Sequence, residues 1–382
     1  MSRVTGTYAT STTLDELVQA FVPHPLPPAQ PELVVDGYAN LNRQAELALS
    51  RLSAVAGLVP SADWLLYSAI RKEALLTSQI EGTQATLDDL FDDEAGVAVS
   101  NSDDVQEVTN YLRAFRLVQH NLRDAKGLPI SVRLLCDAHR VLMDGVRGAG
   151  KNPGELRRTQ NWIGGTRPGN AAFVPPPAHL VLDLLSDLEK FIHRAATALP
   201  PLVRIALVHA QFETIHPFLD GNGRIGRLLI AALIEHWHLL PEPLMYLSGY
   251  LKQHQAEYYR RLSIIRTEGD WESWVAFFLE GVAVAATDAE RSVIDIGTLT
   301  AADRRRLLAS PKAGPTSYRL FEMLPLMPRF NIERVRQRLD TSFPTASAAV
   351  EVLRELGIVA ELTGQKKNRS YRYQAYVDLL MR

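Results

Sequence analysis

The sequence predicts a mainly α-helical protein: a helical bundle broken once by a short β-hairpin flap, with a smaller C-terminal domain of winged-helix pattern. Three observations lead there. Apolar residues recur at helical spacing through most of residues 41–293. Residues 154–177 interrupt that rhythm with Gly-Gly, Pro-Gly and the β-favouring Trp162, Ile163, Phe173 and Val174. The last 70 residues carry three short helical patterns and then two strand-like stretches. At 382 residues the chain has room for two or three domains. With 46% apolar and 22% charged residues it has an ordinary globular balance, which excludes collagen-like, disordered and disulfide-scaffold classes.

Residues 1–35 contain PHPLPPAQP (Pro23–Pro31), which cannot be helical and is expected to lie extended over the body. Leu41, Ala45, Ala48, Leu52, Val55 and Ala56 share one face of a first helix that ends near Gly57. Ser61 has the chemistry of an N-cap, and Leu65, Ala69, Leu76 and Ile80 continue a buried stripe to a stop at Gly82. Further helices are expected at 103–122, 131–145, 178–194, 200–215, 222–239, 254–267 and 271–293. The segment 295–315 ends in a Pro/Gly cluster and reads as a linker. Beyond it come helical patterns at 316–325, 331–340 and 345–356. Strands are expected at Ile358–Leu362 and Ser370–Tyr373, joined by the polar turn TGQKKNR. The expected division is an N-terminal region over 1–100, a catalytic domain over 101–294, a linker over 295–315 and a winged helix over 316–382.

The longest uninterrupted apolar run, Leu228–Ile234, is far below the roughly 18 residues of a membrane span, so no membrane partner is expected. The N-terminus has no secretory h-region, and the single cysteine, Cys136, cannot close an intramolecular disulfide. Both point to the cytoplasm. Net charge is −2, unevenly spread: residues 313–382 hold eleven Lys/Arg against seven Asp/Glu, leaving an acidic body at −6. A basic tail of this kind suits an anionic partner.

The chemically informative stretch is HPFLDGNGRIGR, from His216 to Arg227, set between two apolar helical patterns. Asp220, Gly221, Asn222 and Gly223 make a tight turn that opens a helix. Glycines there let the backbone approach an anion, and the free N–H groups with the helix dipole favour negative charge. Arg224 and Arg227, within the first turn and a half, add fork-shaped donors suited to phosphate oxygens. Asp220 is a hard oxygen ligand beside those phosphates, where Mg²⁺ binds through one or two carboxylates and its substrate. His216 has the pKa range of a general base. The parts converge on nucleotide phosphate chemistry.

The same string resembles the Fic motif, HPFxDGNGRxxR, at every defined position, and the preceding HAQFETI is similar to the family's usual lead-in. The resemblance spans roughly residues 35–290 and implies a Fic-fold bundle that transfers AMP from ATP to a Tyr, Thr or Ser hydroxyl of a target protein. By that resemblance His216 deprotonates the hydroxyl and Asp220 holds Mg²⁺. Gly221, Asn222, Gly223, Arg224, Ile225 and Gly226 belong to the ATP-binding turn, Arg227 grips the γ-phosphate, and Phe218 anchors the loop. Upstream, Thr77-Ser-Gln-Ile-Glu81-Gly82 is similar to the family's (S/T)xxxE(G/N) inhibitory motif. Thr77 and Glu81 are i,i+4 neighbours, and a carboxylate delivered to Arg227 would occupy the donor that ATP needs. The flap fits the family's docking hairpin for a target segment. LSGYLKQHQAEYYRRL (247–262) is similar to the segment that covers the nucleoside, with His254 where asparagine is common; His254 and Tyr259 are carried over on that basis. His139 and His209 fall on helical patterns and read as structural.

In the C-terminal pattern Thr345–Leu356 takes the place of a recognition helix, and Lys366, Lys367 and Arg369 lie on the wing. Two glutamates against one arginine make that helix poor for a DNA groove, so packing or a homodimer is favoured over DNA. Two alternatives stay open. One is transfer of another nucleotide, or removal of AMP, by the same loop. The other is a DNA-binding regulator whose loop senses nucleotide.

Overall fold

The computed structural model describes residues 3–57, 61–146, 150–195, 197–365 and 369–381. The chain opens with β1 (Gly6–Thr13) and β2 (Glu16–Pro23), paired antiparallel from Gly6 opposite Pro23 to Thr13 opposite Glu16. Leu14 and Asp15 make the turn with φ of 50° and 62°, the mirror-image geometry whose twist suits a two-residue hairpin. This corrects the expectation of a merely extended N-terminus. The strands were hidden because the turn is Leu-Asp rather than Asn-Gly, and because β1, GTYATSTT, is nearly all polar.

The helical body follows: α1 (Ala39–Ala56), α2 (Ala62–Ile80), α3 (Leu87–Glu94), α4 (Ser102–Arg123), α5 (Val132–Leu142), α6 (Val181–His193), α7 (Pro201–Ile215), α8 (Asn222–His236), α9 (Leu247–Gln253), α10 (Gln255–Glu268) and α11 (Trp271–Leu308). Helix α7 runs through the centre. Every residue from Leu202 to Ile215 is buried, which is why its pattern is apolar on all sides rather than amphipathic. It is tied to the neighbouring helices. Arg204 donates through Nη2 to the carbonyls of Phe191, Ile192 and Arg194 at the end of α6, at 3.0–3.1 Å. Trp274 of α11 donates its indole N–H to the Ala206 carbonyl at 2.8 Å.

The C-terminal module comprises α12 (Pro315–Met323), β3 (Arg329–Asn331), α13 (Ile332–Leu339), α14 (Phe343–Glu355), β4 (Ala360–Glu361), β5 (Ser370–Arg372) and α15 (Gln374–Leu380). Its three strands form one antiparallel sheet in the order β3-β5-β4. Lys366 and Lys367 of the expected wing lie outside the described residues. Helices α3, α9 and α15 and strand β3 were not expected; all are short.

The expected linker over 295–315 needs a larger correction, because α11 continues as helix to Leu308. Ile296, Thr300, Asp303 and Leu307 are buried at spacings of four, three and four, so the apolar stripe never lapses. That stripe faces the C-terminal module: Tyr373 donates its hydroxyl to Asp303 Oδ2 at 2.7 Å. The module also grips the start of α2. Trp64 donates its indole N–H to the Glu322 carbonyl at 3.1 Å, and Tyr376 donates to the Trp64 carbonyl at 3.3 Å. Arg372 pairs with Asp88 of α3 at 2.5 Å, and Arg329 with Asp92. The two bodies share a continuous apolar core. Among the described residues no helix is long and apolar enough to cross a membrane.

Candidate active site

The site is the connection between α7 and α8. Helix α7 ends at His216, whose left-handed backbone (φ 51°, ψ 62°) turns the chain outward while its N–H still donates to the Phe212 carbonyl at 2.9 Å. Phe218 drops back into the core, fully buried, with its ring 3.9 Å from and parallel to that of His139. His139 accepts the Gly154 N–H at Nδ1, 2.8 Å away, so its proton sits on Nε2 and is donated to the Asp220 carbonyl at 3.0 Å. From the other side Arg157 donates Nε to the His216 carbonyl at 2.9 Å and its main-chain N–H to the Pro217 carbonyl at 2.9 Å. Its Nη2 reaches the Pro176 carbonyl at the base of the flap at 2.5 Å. The loop is therefore held through its main-chain carbonyls by His139, which read as structural, and by Arg157, which no sequence pattern marked.

Asn222 braces the loop from within. Its side chain both accepts the Phe218 N–H and donates to the Phe218 carbonyl, each at 2.8 Å. It staples the turn from a nearly fully buried position. The anion-binding groups that remain are the main-chain N–H groups of the first turn of α8, which have no partner within the helix. Gly221 begins that turn at φ 74°, where a Cβ would come within 3.0 Å of Met143 Sδ.

Two arginines project from α8, both almost fully buried. Arg224 donates Nη1 to Glu107 Oε2 at 3.0 Å. Arg227 donates Nε to Thr77 Oγ1 at 2.6 Å and Nη2 to the Thr77 carbonyl at 3.1 Å and to Glu81 Oε1 at 2.5 Å. Burial alone would lower the Arg227 pKa; Glu81 outweighs it, and the net shift is upward. Glu81 is the C-cap of α2, and Gly82 behind it ends the helix at φ 101° in open space. A Cβ on Gly223 would lie 2.4 Å from Glu81 Oε1, so the carboxylate rests directly over the first turn of α8. Thr77, Glu81, Gly223 and Arg227 thus form one cluster. Ile225 is fully buried beneath it, and Gly226 is packed so tightly that a Cβ would lie 2.2 Å from Glu213 Oε1.

Burial and the neighbouring Arg157 push the His216 pKa down to about 4, so the imidazole is neutral at ordinary pH. Its Nδ1 is shielded from solvent, which leaves Nε2 as the working nitrogen. Glu213, one turn earlier, is buried with Oε1 unpartnered, and burial lifts its pKa to about 7. Sequence reasoning passed over Glu213; the one acid in a mostly apolar helix, three residues before the histidine, was the available signal. Asp220 accepts the Gly221 N–H at Oδ1, 2.6 Å away, and Lys151 at Oδ2, 3.2 Å away, at the half-exposed mouth of the loop. Among the described residues there is no cluster of three or more metal-ligating side chains. A single accessible carboxylate beside an anion cradle fits Mg²⁺ arriving with phosphate oxygens and water as its other ligands.

The flap is a two-stranded loop joined by reciprocal main-chain bonds between Ile163 and Phe173, at 2.8 and 3.1 Å. Asn161 ties its first arm to the Phe218 carbonyl at 3.1 Å. Its second arm is covered by β2: the Phe21 N–H donates to the Val174 carbonyl at 3.0 Å, and Val18, Ala20 and Val174 form a small apolar cluster. Glu16 clasps the flap tip, accepting Arg167 Nη1 at 2.6 Å and the Gly169 N–H at 2.8 Å. Of the two residues expected over the nucleoside, Tyr259 lies close enough to Glu81 and Arg227 to feel their charges; burial and Glu81 raise its pKa, against the opposing pull of Arg227. His254 is exposed and packs on Tyr250, 4.4 Å between ring centres. Its neighbour Gln255, first residue of α10, donates to the Ile80 carbonyl at 3.0 Å, one residue before Glu81.

Two family descriptions match this chain: the Fic/DOC family N-terminal region over residues 39–119 and the Fic/DOC family over residues 129–234. A protein adenylyltransferase Fic of Drosophila grimshawi is 29% identical over 208 residues, covering 53% of this chain and 39% of its own length. The Drosophila melanogaster protein of the same description is 28% identical over 208 residues, 53% of this chain and 38% of its own. The chain thus spans about two fifths of the length of these relatives. Among solved structures, a Fic family protein from Desulfovibrio desulfuricans superposes with a TM-score of 0.58 at 22% identity, covering 90% of this chain and 97% of that one. Fic-1 of C. elegans gives 0.51 at 22% identity over 67% and 72%. Helix α2 lies within the first matched span and the loop from His216 to Arg227 within the second, so the chain carries a Fic N-terminal region and a Fic domain.

Proposed function

We propose that the protein is an adenylyltransferase that moves AMP from ATP onto a hydroxyl side chain of a target protein, and that Glu81 holds it inactive. One observation carries the reading: a neutral imidazole, the open N-terminus of α8 and a buried arginine converge on one loop, and a carboxylate covers the arginine at 2.5 Å. The curated relatives described as protein adenylyltransferases support the same reaction.

The chemistry follows from the groups in hand. His216 Nε2 takes the proton of the target hydroxyl as its oxygen attacks the α-phosphorus; the bond to the bridging oxygen breaks and pyrophosphate leaves. The first-turn N–H groups of α8 meet the charge that develops on the α-phosphate oxygens, already oriented by Asn222, His139 and Arg157. Arg227 suits the γ-phosphate once Glu81 withdraws, and Arg224 adds positive potential beneath the turn. Asp220 would hold Mg²⁺, after Lys151 yields, and the ion would offset phosphate charge. The flap, fixed by β2 and by Asn161, suits an extended target segment.

We read residues 1–100 as the inhibitory region, 101–294 as the catalytic domain and the C-terminal module as a winged helix that packs on the body. A reducing compartment such as the cytoplasm agrees with the lone, half-buried Cys136. The test is intact-mass and peptide mass spectrometry of Glu81→Gly after incubation with Mg²⁺ and each of ATP, CTP, GTP and UTP. Addition of an AMP mass to the protein or to a supplied target, dependent on His216, is the expected result; no added nucleotide mass in any reaction would overturn it.

A further inference from the structure

The buried arginines of this protein have partners. Arg3, Arg71, Arg224 and Arg227 each pair with a glutamate, and Arg157 and Arg204 donate to main-chain carbonyls. Arg266 on α10, half-buried, differs from them. Its guanidinium carbon lies 3.8 Å over the ring of Phe173 in the flap, a favourable cation–π contact. Among the described residues it makes no hydrogen bond and no ion pair. Tyr8 and Glu213 attract it only from a distance, and burial draws its pKa down to about 10, so it remains charged.

This cation faces a groove of about 290 Å³ between the N-terminal hairpin, the flap and α10, with Tyr8 and Gln19 on one wall, Phe173 as floor, and Ser263 and Thr267 beside Arg266 on the other wall. Ser263, Arg266 and Thr267 stand at i, i+3 and i+4 and so share one helix face. The groove is at the lower limit of small-molecule pockets and has room for one side chain. A guanidinium stacked on a ring keeps its N–H edge free for a carboxylate fork, with the Ser263 hydroxyl alongside as a further donor; the Thr267 hydroxyl donates to the Ser263 carbonyl at 3.3 Å.

Building on the transferase reading, we propose that this groove is a docking site for an acidic side chain of the target segment that lies along the flap, with Arg266 as its counter-ion. The triphosphate has its own cradle at α8, so the unspent cation here serves the protein substrate. The Tyr8–Gln19 wall explains why the hairpin is fastened so closely to the flap: without it the groove would be open on that side.

The test uses the full-length Glu81→Gly enzyme, labelled ATP and an array of extended peptides, each with one Tyr, Thr or Ser. Asp or Glu, or their amides, are placed at each flanking position. An acid at one fixed offset is expected to raise kcat/KM about tenfold over its amide, as a charge-assisted hydrogen bond would. Arg266→Gln should bring that acid-to-amide ratio to near one, and Arg266→Lys should retain part of it. The ratio cancels any effect of Arg266 on His216 or on folding. A ratio near one in the parent, or one that survives Arg266→Gln, overturns the docking site while leaving the transferase reading intact. So does a rise in the KM for ATP with the ratio unmoved, which assigns the groove to the nucleotide. If the Glu81→Gly enzyme labels no peptide and no protein, the transferase reading fails and the docking site with it.

Discussion

Replacing Glu81 by glycine removes the carboxylate that sits 2.5 Å from Arg227 Nη2 and leaves the two Thr77 contacts in place. Two unit charges about 4 Å apart at an effective dielectric of about 20 interact by about 4 kcal/mol. The Glu81 side chain is one-third exposed, so solvent trims this to roughly 1.5–3 kcal/mol. That is the handicap a γ-phosphate must overcome to claim Arg227, and its removal should raise the rate of productive turnover about 10- to 100-fold. The assay is initial-rate incorporation of α-labelled AMP at ATP concentrations well below saturation. Glu81→Gln, which keeps the shape and loses the charge, should recover most of the gain. The same change should cost stability, because it strands a buried cation; the melting temperature should fall by a few degrees and be restored by MgATP. Turnover within twofold of the parent for both variants, on a substrate they do modify, would refute the inhibitory pairing.

Three further outcomes follow from the same geometry. The His216 imidazole should titrate near pH 4 by NMR in the nucleotide-free protein; because the folded form releases its proton earlier than the unfolded chain, this residue adds stability as pH rises from about 4 to 6.5, and a midpoint at the ordinary histidine value would contradict the burial argument. Glu213, with its pKa raised to about 7, acts in the opposite sense: the folded protein holds the extra proton between about pH 4.5 and 7, so stability drains by roughly 3 kcal/mol across that window, and Glu213→Gln should flatten this part of a urea-unfolding series. Gly226→Ala should destabilise by about 1–3 kcal/mol, since its Cβ would meet Glu213 Oε1, and pairing it with Glu213→Ala should return most of the loss in thermal melts.

The helices of the body and the reactive turn were legible in the sequence for a common reason: each is a local pattern. Apolar spacing located α1, α2, α4 and α7 to within two residues, and HPFLDGNGRIGR announced its chemistry without help from distant parts of the chain. What stayed hidden depends on distance. Arg157 braces the loop through main-chain carbonyls, which carry no residue signature; His139 read as structural, but its partner, the Asp220 carbonyl, was not legible. The staple from Asn222 to Phe218 was equally silent. So were the packing of His254 on Tyr250 and the bond from Gln255 to the Ile80 carbonyl. The run of α11 past residue 294 was obscured by the Pro/Gly cluster that follows it, although the buried stripe through Leu307 was there to be followed.

Helix α2 is made fast at both ends. Nineteen residues at ~1.5 Å each make a strut roughly 28 Å long, and such a strut transmits displacement far more readily than it bends. Its root is held where Trp64 meets α12 and Tyr376, and its tip carries Glu81 against Arg227. If Glu81 inhibits as proposed, a shift of that root on the C-terminal module would be felt at the reactive loop.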